Sequence, residues 1–198
     1  MTQLAAPPDD ILFVADEVIT GFGRLGSMFA SDRYRLEPDL LGFAKGVTSG
    51  YQPLGGFIAS PKVWRPFWEE TDAPIFRHGL TYSGHPAACA AALANLDILE
   101  DEALTDRVAE LEPQLERIAG GVESHPAVME VRSVGLLAGV QVRDADLAAR
   151  VAAAAPDKGL VLRPLANATL QISPPFIAEP HELEFVISAI GELLDDLA

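Results

Sequence analysis

The chain has 198 residues, 49% of them hydrophobic, and a formal net charge of −15. That acidity excludes a nucleic-acid backbone binder, which needs clustered Lys and Arg, and disfavours anionic membrane surfaces. No apolar run reaches the roughly 20 residues of a membrane span, residues 1–10 show no signal-peptide pattern, and the single Cys89 allows no internal disulfide and fits a reducing cytoplasm.

Residues 1–10 read as a polar, Pro-rich lead, frayed or loosely attached. Ile11 to Ala15 is apolar throughout and predicts a strand buried on both faces. It ends in Asp16 and Glu17, whose side chains point to opposite faces. That makes them poor as a paired acid/base set or metal site. Glu17 is expected in a structural ion pair, with an arginine as partner; gating a second substrate pocket is its functional alternative. Thr20 to Ser27 is a loop with Gly21, Gly23 and Gly26. It lacks the Gly-Lys-Ser/Thr ending of a P-loop and the dinucleotide glycine spacing. Residues 28–35 predict a short helix ended before Pro38.

Leu40 to Phe43 is a second buried strand, and Lys45 follows it. Lys45 is one of only three lysines against eleven arginines. Asp16 and Lys45 are 29 positions apart, enough for one βαβ crossover. Parallel neighbouring strands would bring both side chains to one carboxyl edge, where open α/β sheets bind ligands. A buried lysine can lose roughly 3–5 pKa units from about 10.4 and form a Schiff base with a carbonyl. An aspartate at about 3 Å from a pyridine nitrogen, at an effective dielectric near 20, gains on the order of 5 kcal/mol before desolvation. Lysine and aspartate in those roles are the pattern of pyridoxal phosphate (PLP) chemistry. The bland alternative is a solvent-facing strand-end lysine and a helix-capping aspartate.

Beyond Lys45 a Gly/Ser/Thr loop runs to Pro53, with Thr48 and Ser49 read as solvated. Gly55 to Ala59 predicts a strand. Ser60-Pro61 predicts a helix start with Ser60 as N-cap. Trp64, Phe67 and Trp68 share one helical face and predict packing. His78 and His85, without acidic or cysteine partners, make no metal site; backbone hydrogen bonding is expected of them. Pro86 opens an Ala-rich helix to about Leu99, in which Cys89 is expected to pack. Residues 103–119 are amphipathic, with Leu104, Val108, Leu111, Leu115 and Ile118 on one face, and Gly120-Gly121 ends them. A strand pair follows around Gly135, Val128 to Val134 and Leu136 to Val142. Then come a helix from Leu147 to Ala155, short strands at Leu160 to Arg163 and Thr169 to Ile172, and a helix from Glu182 to Leu197. That order predicts a small α/β sandwich.

Three blocks stand out: Asp16-Glu17-Val18-Ile19-Thr20-Gly21-Phe22-Gly23-Arg24; Ala44-Lys45-Gly46-Val47-Thr48-Ser49-Gly50-Tyr51-Gln52-Pro53-Leu54-Gly55-Gly56; and His78-Gly79-Leu80-Thr81-Tyr82-Ser83-Gly84-His85-Pro86. In order and approximate spacing they resemble class III (omega-type) aminotransferases of the fold-type-I PLP superfamily. The resemblance runs from about Ile11 to the C-terminus.

The resemblance implies an α/β fold: the C-terminal part of a PLP-binding large domain over 1–99, then a small α+β domain over 100–198. It implies PLP as cofactor, Lys45 as the Schiff-base lysine, Asp16 on the pyridine nitrogen and Val18 on a ring face. Thr81, with the backbone near Leu80, would reach the cofactor phosphate of the other subunit of a homodimer. Arg163 would bind a substrate carboxylate; a surface ion pair is its alternative. Some branches place that arginine just before the Pro-Pro pair, where this chain has Gln171 and Ser173. The implied reaction moves an amino group from an amine or omega-amino acid to a 2-oxo acid, in the cytoplasm. Such enzymes are roughly twice this long, so the chain is expected to carry half of an active site. An aminomutase of the same family and a non-catalytic fragment are the alternatives.

Overall fold

The computed structural model describes residues 11–69 and 71–198; the loose lead expected at 1–10 lies outside them. The chain divides into two compact units, one of residues up to Gly23 with Ser27–Thr105, the other of Arg24–Gly26 with Asp106–Ala198. The chain therefore passes into the second unit for three residues and returns before leaving for good.

The first unit is built on three strands: β1 (Val14–Asp16), β2 (Leu40–Phe43) and β3 (Gly56–Ala59), in that spatial order. β1 and β2 are parallel, with Val14 opposite Leu40 and Asp16 opposite Gly42. β3 returns antiparallel to β2. The first strand is shorter than the expected 11–15, because its partner begins only at Leu40. Phe13 N donates instead to the Asp39 carboxylate at 2.8 Å, and Phe13 O accepts from Asp39 N. Nor is the strand buried on both faces. It is an edge strand in this chain, and Val14 is 58% exposed.

Helix α1 (Ala30–Tyr34) stops at Arg35, which adopts φ 54° while Leu36 N bonds back to Ser31 O. That left-handed residue closes the helix three positions before Pro38, which has no N–H to continue it. Helix α2 (Pro61–Trp68) starts behind Ser60, but the Ser60 hydroxyl makes no cap bond; the Ser60 carbonyl accepts from Val63 N and Trp64 N. No residue of α2 is buried. In place of the expected packed face, Phe67 and Trp68 join Phe76 in an aromatic cluster, Phe67 edge-to-face at 5.4 Å and Trp68 tilted at 6.1 Å between ring centroids. No layer among the described residues covers them. Helix α3 (Pro86–Asp101) buries Ala88, Ala92 and Leu99, a single stripe of mostly small residues. Cys89 is partly buried.

The second unit follows the helix–strand–strand–helix–strand–strand–helix order. Helix α4 (Leu104–Ala119) enters it at Asp106, followed by β4 (Val128–Val134), β5 (Leu137–Val142), α5 (Ala145–Ala154), β6 (Arg163–Pro164), β7 (Thr169–Ile172) and α6 (Pro180–Leu197). The sheet order is β4-β5-β7-β6, antiparallel throughout. The alternation in β5 buries Ala138, Val140 and Val142 with Leu147 and Val151 of α5 and Leu183, Ile190 and Leu194 of α6. At roughly 25 cal/mol per Å² of apolar area, burial of this kind is what offsets chain entropy. The strand expected at Leu160 to Arg163 shrinks to Arg163–Pro164. It is an edge strand, and its partner β7 ends at Ile172, so Val161 and Leu160 would face Ser173 and Pro174 beyond the ladder.

Arg24–Gly26 is anchored by four features. Leu136 N donates to Arg24 O at 3.0 Å. The Arg24 guanidinium donates through Nη1 to the carbonyls of Leu136 (3.0 Å) and Pro174 (2.6 Å). It also lies 4.6 Å over the Phe176 ring, a cation–π contact. Leu25 is 2% exposed. Burial lowers the Arg24 pKa from its ordinary value. Arg107 holds the same stretch further along, donating to the carbonyls of Phe176 and Ala178 and to the Glu179 carboxylate.

Candidate active site

Lys45 and Asp16 come from the parallel pair. Asp16 is the last residue of β1, opposite Gly42; Lys45 stands three residues beyond Gly42. The two therefore share the carboxyl edge, as the parallel reading requires. Both are exposed. Asp16 Oδ1 accepts from Val18 N at 3.0 Å, an Asx turn that bends the chain away from the strand. Among the described residues its second oxygen has no partner, and Lys45 Nζ makes no hydrogen bond or ion pair.

The backbone at Lys45 is unusual. It has φ 40°, and it opens a 3₁₀ turn, Lys45–Thr48, that closes on Ser49 at φ 51°. A non-glycine residue in that region costs on the order of 1–3 kcal/mol and persists only where its surroundings over-determine it. Two neighbours constrain it. A Cβ on Gly46 would lie 3.1 Å from Phe22 Cβ and 3.2 Å from Gly21 O, so Gly46 sits directly against the glycine-rich loop. On the α3 side, Asn95 Nδ2 donates to the carbonyls of Gly46 (2.9 Å) and Val47 (3.3 Å). The expected open, solvated loop is thus a tight turn. Thr48 is 2% exposed and donates to Gln52 O at 2.6 Å; Ser49 is exposed.

Glu17 corrects its expectation. Its carboxylate is 2% exposed and accepts from Thr20 Oγ1, Ala30 N (3.0 Å), Ser31 N (2.7 Å) and Ser31 Oγ (2.7 Å). It ties the far side of the loop to the start of α1. Burial alone would raise its pKa; the bonds from Thr20, Ser31 and the two amides outweigh that and hold it below the ordinary carboxylate value.

Val18 is half-buried beside Asp16. Thr81 is exposed in a turn where Ser83 N donates to Leu80 O and Leu80 N to Ser83 Oγ, each at 3.0 Å. His85 caps α3 through its backbone carbonyl, which accepts from Cys89 N. Arg163 belongs to the second unit, is exposed, and forms no ion pair among the described residues. Sequence reasoning passed over Asn95. Its signal was a lone amide among alanines and leucines on the buried stripe of α3.

The donor set fits one end of PLP. An unpartnered amine and a carboxylate with one free oxygen stand at one sheet edge, the group types that would suit an aldehyde carbon and a pyridine nitrogen. At the Leu80–Ser83 turn Thr81 is exposed, while the Leu80 and Ser83 amides are engaged within the turn.

The family profile of class-III aminotransferases matches residues 3–194. The chain is 41% identical over 196 residues to an omega-amino acid–pyruvate aminotransferase of Pseudomonas putida, covering 95% of this chain and 43% of that protein. It is 37% identical to a mitochondrial gamma-aminobutyrate transaminase of Oryza sativa subsp. indica, covering 93% of this chain and 38% of that protein. Among solved structures it superposes on an (S)-enantioselective omega-transaminase from Thermomicrobium roseum with a TM-score of 0.86 at 38% identity, covering 94% of this chain and 44% of that one. The chain thus spans under half the length of these relatives.

Proposed function

We propose that this chain, which belongs to the class-III aminotransferase family, carries the lysine half of a PLP-dependent site that moves amino groups between an amine or omega-amino acid and a 2-oxo acid. The family depends on PLP. The observation that carries the reading is the parallel register of β1 and β2, which sets Asp16 and Lys45 at one sheet edge. In this reading the first unit is the C-terminal part of the PLP-binding large domain and the second the small α+β domain.

PLP, when bound, supplies an aldehyde that takes up the amino group and a ring that withdraws electrons from the substrate carbon. The protein's residues divide the remaining work. Lys45 Nζ would hold the aldehyde end of the group, and its amine, when free, would carry a proton to and from the substrate carbon as general base and then acid. The unpartnered oxygen of Asp16 would hold a proton on the ring nitrogen, and the Val18 side chain would cover a ring face. The Thr81 hydroxyl, with the backbone near Leu80, would bind a phosphate across the interface of a homodimer. Arg163 takes a substrate carboxylate. The single Cys89 accords with a cytoplasmic setting, and no helix among the described residues is long and apolar enough to cross a membrane.

The test is pyruvate-dependent consumption of β-alanine with added PLP, comparing the parent chain with Lys45→Ala. The expected loss is roughly 10³-fold, the scale of a positioned acid/base group. A Lys45→Ala chain that forms alanine at the parent rate overturns the reading.

A further inference from the structure

We propose that Asn95 is a positioning residue for Lys45: its amide, donating to the Gly46 and Val47 carbonyls from α3, holds the turn that sets the lysine's backbone. The meaning of Lys45 rests on the function proposed above; the role of Asn95 in placing it does not.

Ala88, Ala92 and Leu99 form the buried stripe of α3, and Asn95 falls within it. A polar side chain on such a stripe is costly unless its hydrogen bonds are met. Asn95 Nδ2 meets them with two consecutive carbonyls, at 2.9 and 3.3 Å. Only the amide's donor end can face two acceptors, which fixes its orientation. The carbonyls belong to the two residues directly after Lys45. On the opposite side the turn has little slack, because a Cβ at Gly46 would lie 3.1 Å from Phe22 Cβ and 3.2 Å from Gly21 O. Phe22 is itself at φ 61°, with its ring 5.3 Å from Phe29 and 5.8 Å from Phe43. Gly46 is thus held between the Phe22 side chain on one side and, on the other, the Asn95 amide bonded to the Gly46 and Val47 carbonyls. With the grip removed, nothing in the turn's own hydrogen bonds favours φ 40° over the ordinary negative-φ wells.

The test uses Asn95→Asp, which keeps the shape and turns a donor into an acceptor facing two oxygens, and Asn95→Leu, which removes the donor without adding charge. Amide hydrogen exchange is read at Val47, Ser49 and Tyr51 in the turn, with Glu17 and Leu40, bonded at the β1–β2 pair, as controls. The expected result is exchange about tenfold faster in the turn, the factor for 1.4 kcal/mol, with the controls unchanged and Asn95→Gln restoring protection in part. In parallel, PLP is added and reduced with borohydride, and adduct on Lys45 is compared with Lys62 and Lys158. Its share on Lys45 is expected to fall by a similar factor in both variants.

Turn amides that do not respond overturn the proposal. So do turn and control amides that accelerate together, or two variants that both fail to fold, because each assigns Asn95 to stability alone. If the turn amides respond but PLP never prefers Lys45 in the parent, Asn95 keeps its role and the cofactor reading fails. If the parent prefers Lys45 and both variants match it in exchange and adduct share, the cofactor reading stands and this inference falls.

Discussion

Gly135→Ala is expected to unfold the second unit, or to destabilise it by about 4 kcal/mol or more, the range reserved for forced backbone clashes. The new Cβ would lie 2.4 Å from Leu25 Cα and 2.5 Å from Arg24 O. Both are backbone atoms and neither can rotate away. Gly135 also has φ 54° at the first position of the two-residue hairpin joining β4 and β5. Glycine fills that position in type II′ turns because it alone pays no steric penalty there. Relief requires either that the hairpin turn change or that Arg24–Gly26 lift away, which breaks the Leu136 N to Arg24 O bond. Circular dichroism during urea titration checks this. Trp64 and Trp68 both lie in the first unit, so fluorescence follows that unit separately, and the two probes need not share one transition. A Gly135→Ala chain whose ellipticity midpoint matches the parent contradicts the packing described.

Glu17→Gln is expected to cost the first unit roughly 3 kcal/mol at neutral pH, the scale for losing hydrogen bonds to a buried charged acceptor and leaving donors unmet. The amide keeps one acceptor oxygen and turns two N–H groups toward Thr20, Ser31 and Ala30, which are all donors to the present carboxylate. The pH dependence follows from the direction of the shift. The Glu17 pKa is lowered from 4.5 in the fold, so its contribution is fully present above the unfolded value. That contribution is lost as pH falls through the lower folded value. Tryptophan-detected urea titrations should show a constant gap between parent and Glu17→Gln from neutral pH down to about 5.5, narrowing progressively below 4.5. A gap that widens on acidification would mean the carboxyl is protonated in the native state.

The elements that patterning revealed are those whose partners are close in sequence or whose period is strong. The alternation across 128–142 places both strands of one hairpin and the turn between them. The apolar spacing of α4 and α6 marks the faces that reach the core. Asp16 and Lys45 were legible because each ends an apolar run, and a crossover of their separation carries a known consequence for parallel strands. Contacts between distant segments were not legible. Nothing local to Glu17 signals that its carboxylate will meet the amides of Ala30 and Ser31. Nothing near Arg24 points to Leu136 or Pro174. Asn95 was hidden for the opposite reason: an alanine-rich helix invites reading by its small residues, and one amide among them looks incidental. The strand ends at 11–13 and 160–162 failed because strand length depends on the partner. Asp39 uses its side chain where a ladder bond would be, and β7 ends at Ile172, so Val161 and Leu160 would face Ser173 and Pro174, beyond the partner strand.

The central claim is that β1 and β2 hold Asp16 and Lys45 ready for one cofactor. The most direct measurement adds PLP to the chain, reduces with borohydride, and locates the adduct by peptide mass spectrometry in the parent and in Asp16→Ala. The account predicts pyridoxyl on Lys45 in preference to Lys62 and Lys158, with that preference lost in Asp16→Ala and under competition from a non-reactive PLP analogue. Adduct spread evenly over the three lysines, or a preference for Lys45 indifferent to Asp16, would contradict it.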